Sequence, residues 1–240
     1  MCLILFAYKQ HPEYKLIIAA NRDEFYNRPT SPAEWSGEIL SGIDEKAGGT
    51  WMGINKSGQL AALTNYRNPA DMVPNKLSRG NLVYDYLKTG SLDDKHSEYS
   101  GFNLIYGTTN RLNYISNRSE GKRELTPGVY GLSNHLLDTP WVKVERGKRA
   151  LLETISGKFT TDDLFSILKD DFEPSDSLLP DTGIGIEKER MLSPIFIKSS
   201  DYGTVSSTAL TIDYSGNVHF TERTHKTKTD KDFRFKICSQ

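Results

Sequence analysis

Strand-like segments at both ends of this 240-residue chain enclose its helical segments, and this order limits the possible folds. The first two strands are predicted over residues 2–8 and 15–20, and both are dense in Leu, Ile and Ala. Continuous apolar strands of this kind are typical of a sheet that is covered on both faces. Because strands and helices do not alternate regularly along the chain, a layered α+β domain is favoured over a doubly wound parallel sheet.

Apolar periodicity predicts the later strands, at residues 51–54, 60–63, 102–106, 112–116, 129–132, 195–197, 204–212 and 217–222. Three helices are predicted, from Ser78, from Thr139 as an N-cap before Pro140, and from near Thr161. The second helix has an apolar stripe of five residues, Trp141, Val144, Leu151, Leu152 and Ile155. Residues 21–50 are rich in Pro, Gly, Ser and Thr and are predicted to form a long ordered loop, and residues 226–236 a solvated end.

Composition indicates an ordinary globular protein, expected to form one domain over residues 1–240. Thirty basic and thirty-one acidic residues leave a formal charge of -1, which gives no field for gathering nucleic acid or an anionic membrane. Two cysteines are too few for a disulfide framework and favour a reducing compartment. No signal peptide and no apolar run near the roughly eighteen residues of a membrane span is visible, so we expect a cytoplasmic protein.

Cys2 directly follows the initiator methionine, which aminopeptidases remove when the next side chain is small. The mature chain would then begin with a residue that carries both a thiol and a free α-amine. An α-amine titrates at roughly 7.7–8.0, so it can accept the thiol proton near neutral pH. This pairing of nucleophile and base is the device of N-terminal nucleophile hydrolases. The alternative is that Cys2 is a small buried hydrophobic residue.

Three polar residues at predicted strand ends are further candidates for a site around Cys2. Asp23 follows a strand that can pair antiparallel with the first, which would bring its carboxylate to the N-terminus, where it could hold the α-amine. Asn65 and Asn134 each end a short apolar strand, and an asparagine amide offers uncharged donors for a developing oxyanion. The alternative for all three is local turn hydrogen bonding at a strand end.

Five segments of the chain resemble the NRDE family, whose eukaryotic member is transport and Golgi organisation protein 2. They are MCLI at 1–4, ANRDEF at 20–25, GGTWMGIN at 48–55, ALTNYR at 62–67 and LPDTG at 179–183. That family is in turn similar to the choloylglycine hydrolase and penicillin acylase group of N-terminal nucleophile hydrolases. The resemblance implies a four-layer αββα sandwich.

The resemblance also implies roles for individual residues. By motif, Cys2 would be the nucleophile, Asp23 would position the amine, and Asn65 and Asn134 would donate to the oxyanion. Four further residues are candidates for the substrate pocket: Asn21, Arg22, Arg67 and His135. His135 could instead ligate haem iron, or be a hydrogen-bonded loop histidine. The histidines have no zinc spacing, and no cofactor is required by this chemistry.

Two positions depart from the resemblance. Ala20 stands where bile-salt hydrolases have an arginine near the thiol, and Val205 stands where relatives usually carry arginine. An arginine close to Cys2 would lower the pKa of the thiol, so its loss makes the thiol less readily ionised unless Arg22 or Arg67 substitutes.

Two functions follow from this reading. The first is an amidohydrolase or acyltransferase that forms an acyl-enzyme on Cys2 from an amide or a thioester. The second is a binding or trafficking protein that uses the same scaffold without turnover, for haem, an acyl-lipid or acyl-CoA. In both cases the partner is a small acyl compound or hydrophobic metabolite, and neither nucleic acid nor an integral membrane association is expected.

Overall fold

Two antiparallel sheets lie face to face in the computed structural model, which describes residues 2–69 and 76–238. The strands within these ranges are β1 (Cys2–Tyr8), β2 (Tyr14–Phe25), β3 (Thr30–Ser36), β4 (Ile39–Asp44), β5 (Met52–Asn55), β6 (Gln59–Asn65), β7 (Phe102–Thr108), β8 (Arg111–Ser116), β9 (Arg123–Glu124), β10 (Gly128–Leu132), β11 (Tyr202–Asp213), β12 (Asn217–Thr224) and β13 (Thr229–Lys236). The α-helices are α1 (Gly80–Thr89), α2 (Val142–Ile155), α3 (Thr161–Ile167) and α4 (Ile186–Met191). Short 3-10 helices cover His96–Glu98 and Asp176–Leu178.

The first sheet has the strand order β10-β1-β2-β11-β12-β13, and the second has the order β3-β4-β5-β6-β7-β8-β9. A core of apolar side chains fills the space between the sheets, with Ile4 and Ile18 from the first and Ile54 and Ile105 from the second. Helices α2 and α3 cover the outer face of the first sheet, and α1 covers the outer face of the second. The chain therefore has the αββα sandwich that the family resemblance implies.

Strand β1 shows why its sequence is apolar without alternation. Ile4 and Phe6 point into the core between the sheets, whereas Leu3 and Leu5 point to the helices on the other face. A strand whose residues alternate between two buried faces has no polar face to display. The continuous apolar run thus follows directly from the central position of β1 in the first sheet.

The predicted loop over residues 21–50 is wrong, because β2 continues to Phe25 and the hairpin of β3 and β4 follows. Strand β2 can carry polar residues inside the sheet because they form hydrogen bonds with buried partners. The Asp23 carboxylate, for example, accepts a hydrogen bond from the Thr204 hydroxyl. Pro32 lies in β3 at the end strand of its sheet, within a register shift between Ser31 and Glu34. Proline is accepted at such edges and bulges because it cannot donate to the ladder.

Two further predictions near the C-terminal end are wrong. Residues 229–236 are not a solvated end but strand β13, which pairs with β12 and packs Phe233 and Phe235 against the core. Residues 195–197 do not form a strand, because their amides bond to a loop carbonyl and a side chain: Phe196 N–H donates to Asp170 O, and Ile197 N–H to the Thr204 hydroxyl.

The helix predictions hold with local corrections. Helix α3 begins at Thr161 after a capping box made by Thr160 and Asp163. Helix α2 begins at Val142, two residues later than the Thr139–Pro140 signal predicts, and Leu152 of its predicted apolar stripe is 52% exposed. Among the helices within the described residues, none combines the length and the apolar character that crossing a membrane requires.

Candidate active site

A cavity of about 920 Å³ opens where β1 begins and β2 ends. Five of the residues singled out in the sequence line its wall: Cys2, Arg22, Asp23, Asn65 and Arg67. They come from three strands and one loop, and the antiparallel pairing of β1 with β2 places Cys2 directly opposite Arg22. The predicted approach of the Asp23 segment to the start of the chain is therefore present in the fold.

Cys2 is half-buried at this wall. Burial raises the pKa of its thiol, and the negative charge of Asp23 raises that pKa further. Arg22 and the backbone N–H of Asp23 act in the opposite direction, since both stabilise a thiolate. Because burial is the largest influence, the thiol is mostly protonated at neutral pH and needs a base to become a nucleophile.

Asp23 is almost fully buried, at 1% exposure, and its position in β2 is opposite Thr204 of β11. The Thr204 hydroxyl donates to Asp23 Oδ1 over 2.7 Å. Burial raises the pKa of the Asp23 carboxyl, while Lys143, this hydrogen bond and Arg67 lower it. Two cations and a hydroxyl thus favour the charged carboxylate in a place where burial alone would favour the neutral acid.

Lys143 is a residue at this site that the sequence reasoning missed. It lies in the first turn of α2, is 4% exposed, and donates from Nζ to Leu192 O over 2.8 Å. Burial and the nearby Arg67 lower the pKa of its ammonium to about 8, although Asp23 and Glu189 oppose this effect. Its spacing in the sequence could have indicated that it is buried. Lys143, Gly147 and Leu151 are four residues apart and lie on the buried face of the helix.

Arg67, a pocket candidate from the sequence, forms a buried ion pair with Glu189, which the sequence reasoning missed. Its Nη1 is 2.6 Å from Glu189 Oε2, and both side chains are at most 5% exposed. Glu189 Oε1 accepts two hydrogen bonds from Thr182, one from the backbone N–H at 2.8 Å and one from the hydroxyl at 2.5 Å. The Arg67 guanidinium also stacks over Trp141 at 4.9 Å. This network attaches the segment around residues 179–183, together with α4, to the cavity wall.

The two predicted oxyanion donors occupy different positions. Asn65 ends β6 on the cavity wall, and its side-chain amide has no hydrogen-bond partner among residues 2–69 and 76–238. Asn134 is fully buried behind it, where Nδ2 donates to Asn65 O over 3.0 Å and its backbone carbonyl accepts from Arg67 N–H over 2.7 Å. Asn65 can meet a ligand directly, whereas the contacts of Asn134 fix the backbone around Asn65 and Arg67.

Two predicted pocket residues do not lie on the cavity wall. Asn21 faces the helical layer, where its Nδ2 donates to Leu168 O and Ile195 O, each over 2.9 Å. Alternation along β2 turns Asn21 to the face opposite Arg22. Asn21 shares the face of Asp23 but lies two residues further from the end of the strand, where these loop carbonyls bind it.

His135 is engaged at both ring nitrogens, Nε2 with the Tyr66 hydroxyl and Nδ1 with the Thr139 hydroxyl, each at 2.8 Å. Neither nitrogen is open for a haem iron in this arrangement. Within the described part of the chain, no group of three or more His, Cys, Asp or Glu side chains is arranged to hold a metal ion.

Ala20 and Val205, the two positions that depart from the resemblance, occupy different places in the first sheet. Ala20 is part of the core between the sheets. Val205 lies at a register shift between Thr204 and Ser206, where β11 passes β2. Arg22 is a cation that lies opposite Cys2 in this chain.

Comparison with known proteins identifies sequence relatives across nearly the whole chain. A family model described as Transport and Golgi organisation 2 matches residues 1–227. The mouse Transport and Golgi organization 2 homolog is 39% identical over 266 residues, covering 97% of this chain and 95% of that protein. The human homolog is 38% identical over 97% of this chain and 95% of that protein. The Drosophila melanogaster protein is 30% identical over 98% of this chain and 99% of its own length.

Two solved structures share the fold at low sequence identity. A conjugated bile acid hydrolase from Clostridium perfringens, in its C2A mutant form, matches with a TM-score of 0.56 and 9% identity, covering 97% of this chain and 92% of the other. An N-acylethanolamine-hydrolyzing acid amidase ortholog from Caenorhabditis elegans matches with a TM-score of 0.51 and 11% identity, covering 87% and 92%. Both are hydrolases of the N-terminal nucleophile type, and the likeness establishes the fold of this chain.

Proposed function

Because this chain belongs to the Transport and Golgi organisation 2 family and has the fold of N-terminal nucleophile hydrolases, we propose that it is a cysteine amidohydrolase or acyltransferase. The observation that carries the proposal is the meeting of Cys2, Asp23 and Asn65 on one cavity wall. They offer a thiol, a buried carboxylate and an open amide donor. One structural relative is named an amidase and the other a hydrolase, which supports a hydrolytic reaction here.

The proposed reaction begins after removal of Met1, when the α-amine belongs to Cys2. This amine takes the thiol proton, and the thiolate sulfur forms a bond to the substrate carbonyl carbon as the C=O π pair moves to oxygen. The Asn65 amide donates to that oxyanion, and Asp23 holds the α-ammonium. The oxyanion then re-forms C=O and expels the amine or thiol, which takes the proton from the ammonium. Water, or another acceptor for acyl transfer, cleaves the acyl-enzyme by the same two steps.

A self-supplied base fits the electrostatics of this site. Burial keeps the Cys2 thiol protonated at neutral pH, so a nucleophile without an adjacent base would be mostly inactive. An α-amine on the same residue has an ordinary pKa close to neutral and needs no second side chain to approach. Asp23, with Lys143 and Arg67 favouring its charged form, is suited to hold the resulting ammonium.

The test is a panel of acyl amides and acyl thioesters assayed with wild type, Cys2→Ala and Cys2→Ser. We expect Cys2→Ala to abolish turnover and Cys2→Ser to retain at most a small fraction of it, because a hydroxyl is the weaker nucleophile. Cys238→Ala is the matched control, since Cys238 is exposed and remote in sequence, and it should keep full activity. Turnover by Cys2→Ala at the wild-type rate would rule out the mechanism.

The alternative is a binding or trafficking protein for haem, an acyl-lipid or acyl-CoA. The observation that favours it is the raised pKa of the buried thiol, together with apolar Ala20 and Val205 where related hydrolases have arginine. Titration with haem and with acyl-CoA tests this role, and saturable binding by Cys2→Ala without any turnover by wild type would select it. In either role we propose a cytoplasmic protein acting on a small acyl compound or hydrophobic metabolite.

A further inference from the structure

Arg22 occupies a place in the cavity that the proposed reaction does not use. It is directly opposite Cys2 in the register of β1 and β2, and both residues line the cavity. Directly opposed residues in an antiparallel pair have Cβ atoms about 4.5–5.5 Å apart and point to the same face. The two side chains therefore enter the cavity from the same face of the sheet, and the Arg22 charge acts on the Cys2 thiol, whose pKa it lowers.

The guanidinium is held firmly. Arg22 is 5% exposed, and its guanidinium carbon lies 4.4 Å from the centre of the Trp51 ring. Stacking of a guanidinium on an aromatic face fixes its plane and leaves the N–H edge available to acceptors.

That edge has no hydrogen-bond acceptor within the described residues, although two carboxylates form longer ion pairs with it. No hydrogen bond joins the Arg22 guanidinium to any of residues 2–69 or 76–238, and its Nη1 is fully buried without a partner there. The carboxylates of Glu24 and Asp44 stay 3.8 and 3.9 Å from Nη2, beyond hydrogen-bond distance. Asp44 is bound instead by Arg28, whose Nη2 is 2.7 Å from Oδ2. Since buried donors in folded proteins almost always have partners, this arrangement indicates a ligand group.

The charge of the wall supports an anionic ligand. Four carboxylates line the cavity, those of Asp23, Glu24, Asp44 and Asp201. Six cationic side chains line it as well, those of Arg22, Arg28, Arg67, Lys76, Arg79 and Lys188. Arg67 is balanced by Glu189, which lies outside the wall, so five cations face four carboxylates and a small positive excess remains.

We propose that Arg22 is a specificity-determining residue that binds an anionic oxygen group of the substrate, close to the carbonyl that Cys2 attacks. A guanidinium fork matches the paired oxygens of a carboxylate or a phosphate, so either group fits this subsite. The inference rests on Cys2 as the reacting residue of the proposed function. The experiment that tests it measures alkylation of Cys2 and not turnover, so its result is independent of whether the protein is catalytically active.

The test compares iodoacetate with iodoacetamide as alkylating agents of Cys2 in Met1-free protein carrying Cys238→Ser. The two reagents differ by a carboxylate in place of an amide, and both react with the same thiolate. Any influence of Arg22 on the pKa of the thiol therefore cancels in the ratio of their rates. N-acetylcysteine amide serves as the neutral reference thiol.

We expect the iodoacetate-to-iodoacetamide rate ratio at Cys2 to exceed that of the reference by about tenfold, the size of one charge-assisted hydrogen bond. Arg22→Gln should return the ratio to the reference value, and Arg22→Lys should retain part of the preference. Lys188→Gln removes a charge of the same sign from the cavity wall and should leave the ratio within about twofold of wild type.

A wild-type ratio equal to the reference overturns the proposal without need of any variant, as does a preference that persists in folded Arg22→Gln. A competition experiment then identifies the anionic group. Protection of Cys2 from iodoacetamide by sodium acetate points to a substrate carboxylate, and protection by inorganic phosphate points to a phosphate. Absence of protection by both, at concentrations where salt controls also have no effect, counts against the subsite.

Discussion

Asp23 and Cys2 influence each other in two opposite ways. The carboxylate would hold the α-ammonium that turnover needs, yet its negative charge raises the pKa of the neighbouring thiol. Thiol ionisation and catalysis therefore need not change in the same direction when this residue is altered. That separation distinguishes a positioning role from a general electrostatic one.

Asp23→Asn is predicted to increase thiol reactivity while removing turnover. Loss of the negative charge lowers the pKa of Cys2, so the pH profile of iodoacetamide alkylation should move to lower pH and the rate at pH 7 should rise. Turnover of an amide or thioester should fall by at least about a hundredfold because the amine loses its partner. Asp44→Asn, which changes another carboxylate of the cavity wall, should do neither. Slower alkylation by folded Asp23→Asn would contradict this account.

At the scale of elements, Glu222 joins two strands from different sheets. Its Oε1 accepts from Ala33 N–H over 2.7 Å, which connects β12 to β3, and the side chain is 2% exposed. Burial raises the pKa of this carboxyl to about 7 from an ordinary 4.5, although the Ala33 amide and Arg22 favour its charged form. The folded state thus binds the proton more tightly than the unfolded chain does.

Stability should consequently fall as pH rises from about 4.5 to 7, and Glu222→Gln should remove this loss. The amide oxygen can still accept from Ala33 N–H, so above pH 7 the variant should be more stable than wild type by up to about 3 kcal/mol. Denaturant unfolding at pH 5 and pH 8 measures the difference. Glu120→Gln changes an exposed acid and keeps Glu222, so it should lose stability between pH 5 and pH 8 as wild type does. A variant less stable than wild type at pH 8 would refute the assignment.

Helix α4 depends on one buried ion pair for its attachment to the cavity wall. Glu189→Gln would leave the buried Arg67 charge without its carboxylate, which typically costs about 3–5 kcal/mol. We also expect faster amide hydrogen exchange at residues 179–191, because Glu189 holds Thr182 as well. Glu187→Gln on the same helix alters a carboxylate that is 82% exposed and should change stability by less than about 1 kcal/mol. Equal effects of the two substitutions would show that the buried pair does not anchor α4.

Local patterns in the sequence are sufficient to predict most helices and strands, but not the polar contacts between them. The apolar runs of β1 and β2 and the Thr160 cap of α3 are visible because each depends on neighbours within a few residues. Strand β13 is also visible in principle, since Phe233 and Phe235 alternate with charged residues, but its high charge favours a solvated end. By contrast, the bond from Thr204 to Asp23 spans 181 residues and that from Lys143 to Leu192 spans 49, and no local pattern encodes such pairs.

At the scale of the whole molecule, the sandwich explains why the site lies where it does. Strands β1 and β2 are interior strands of their sheet, so their apolar side chains are part of the core. The cavity forms at the end of that sheet, with loops and α4 around it. Family resemblance leads to Cys2, Asp23 and Asn65 on the cavity wall. Asn21 and His135 lie off that wall, where long-range hydrogen bonds that no local pattern encodes hold their side chains.

The central claim is that the mature chain begins with a nucleophilic cysteine. Intact mass of the purified protein, before and after brief exposure to an acyl thioester at neutral pH, tests it most directly. We predict a mass that lacks Met1, and one added acyl group that peptide mapping assigns to Cys2 and not to Cys238. A chain that retains Met1, or that acquires no acyl group on Cys2 from any thioester or amide tested, would contradict the claim and favour the binding protein.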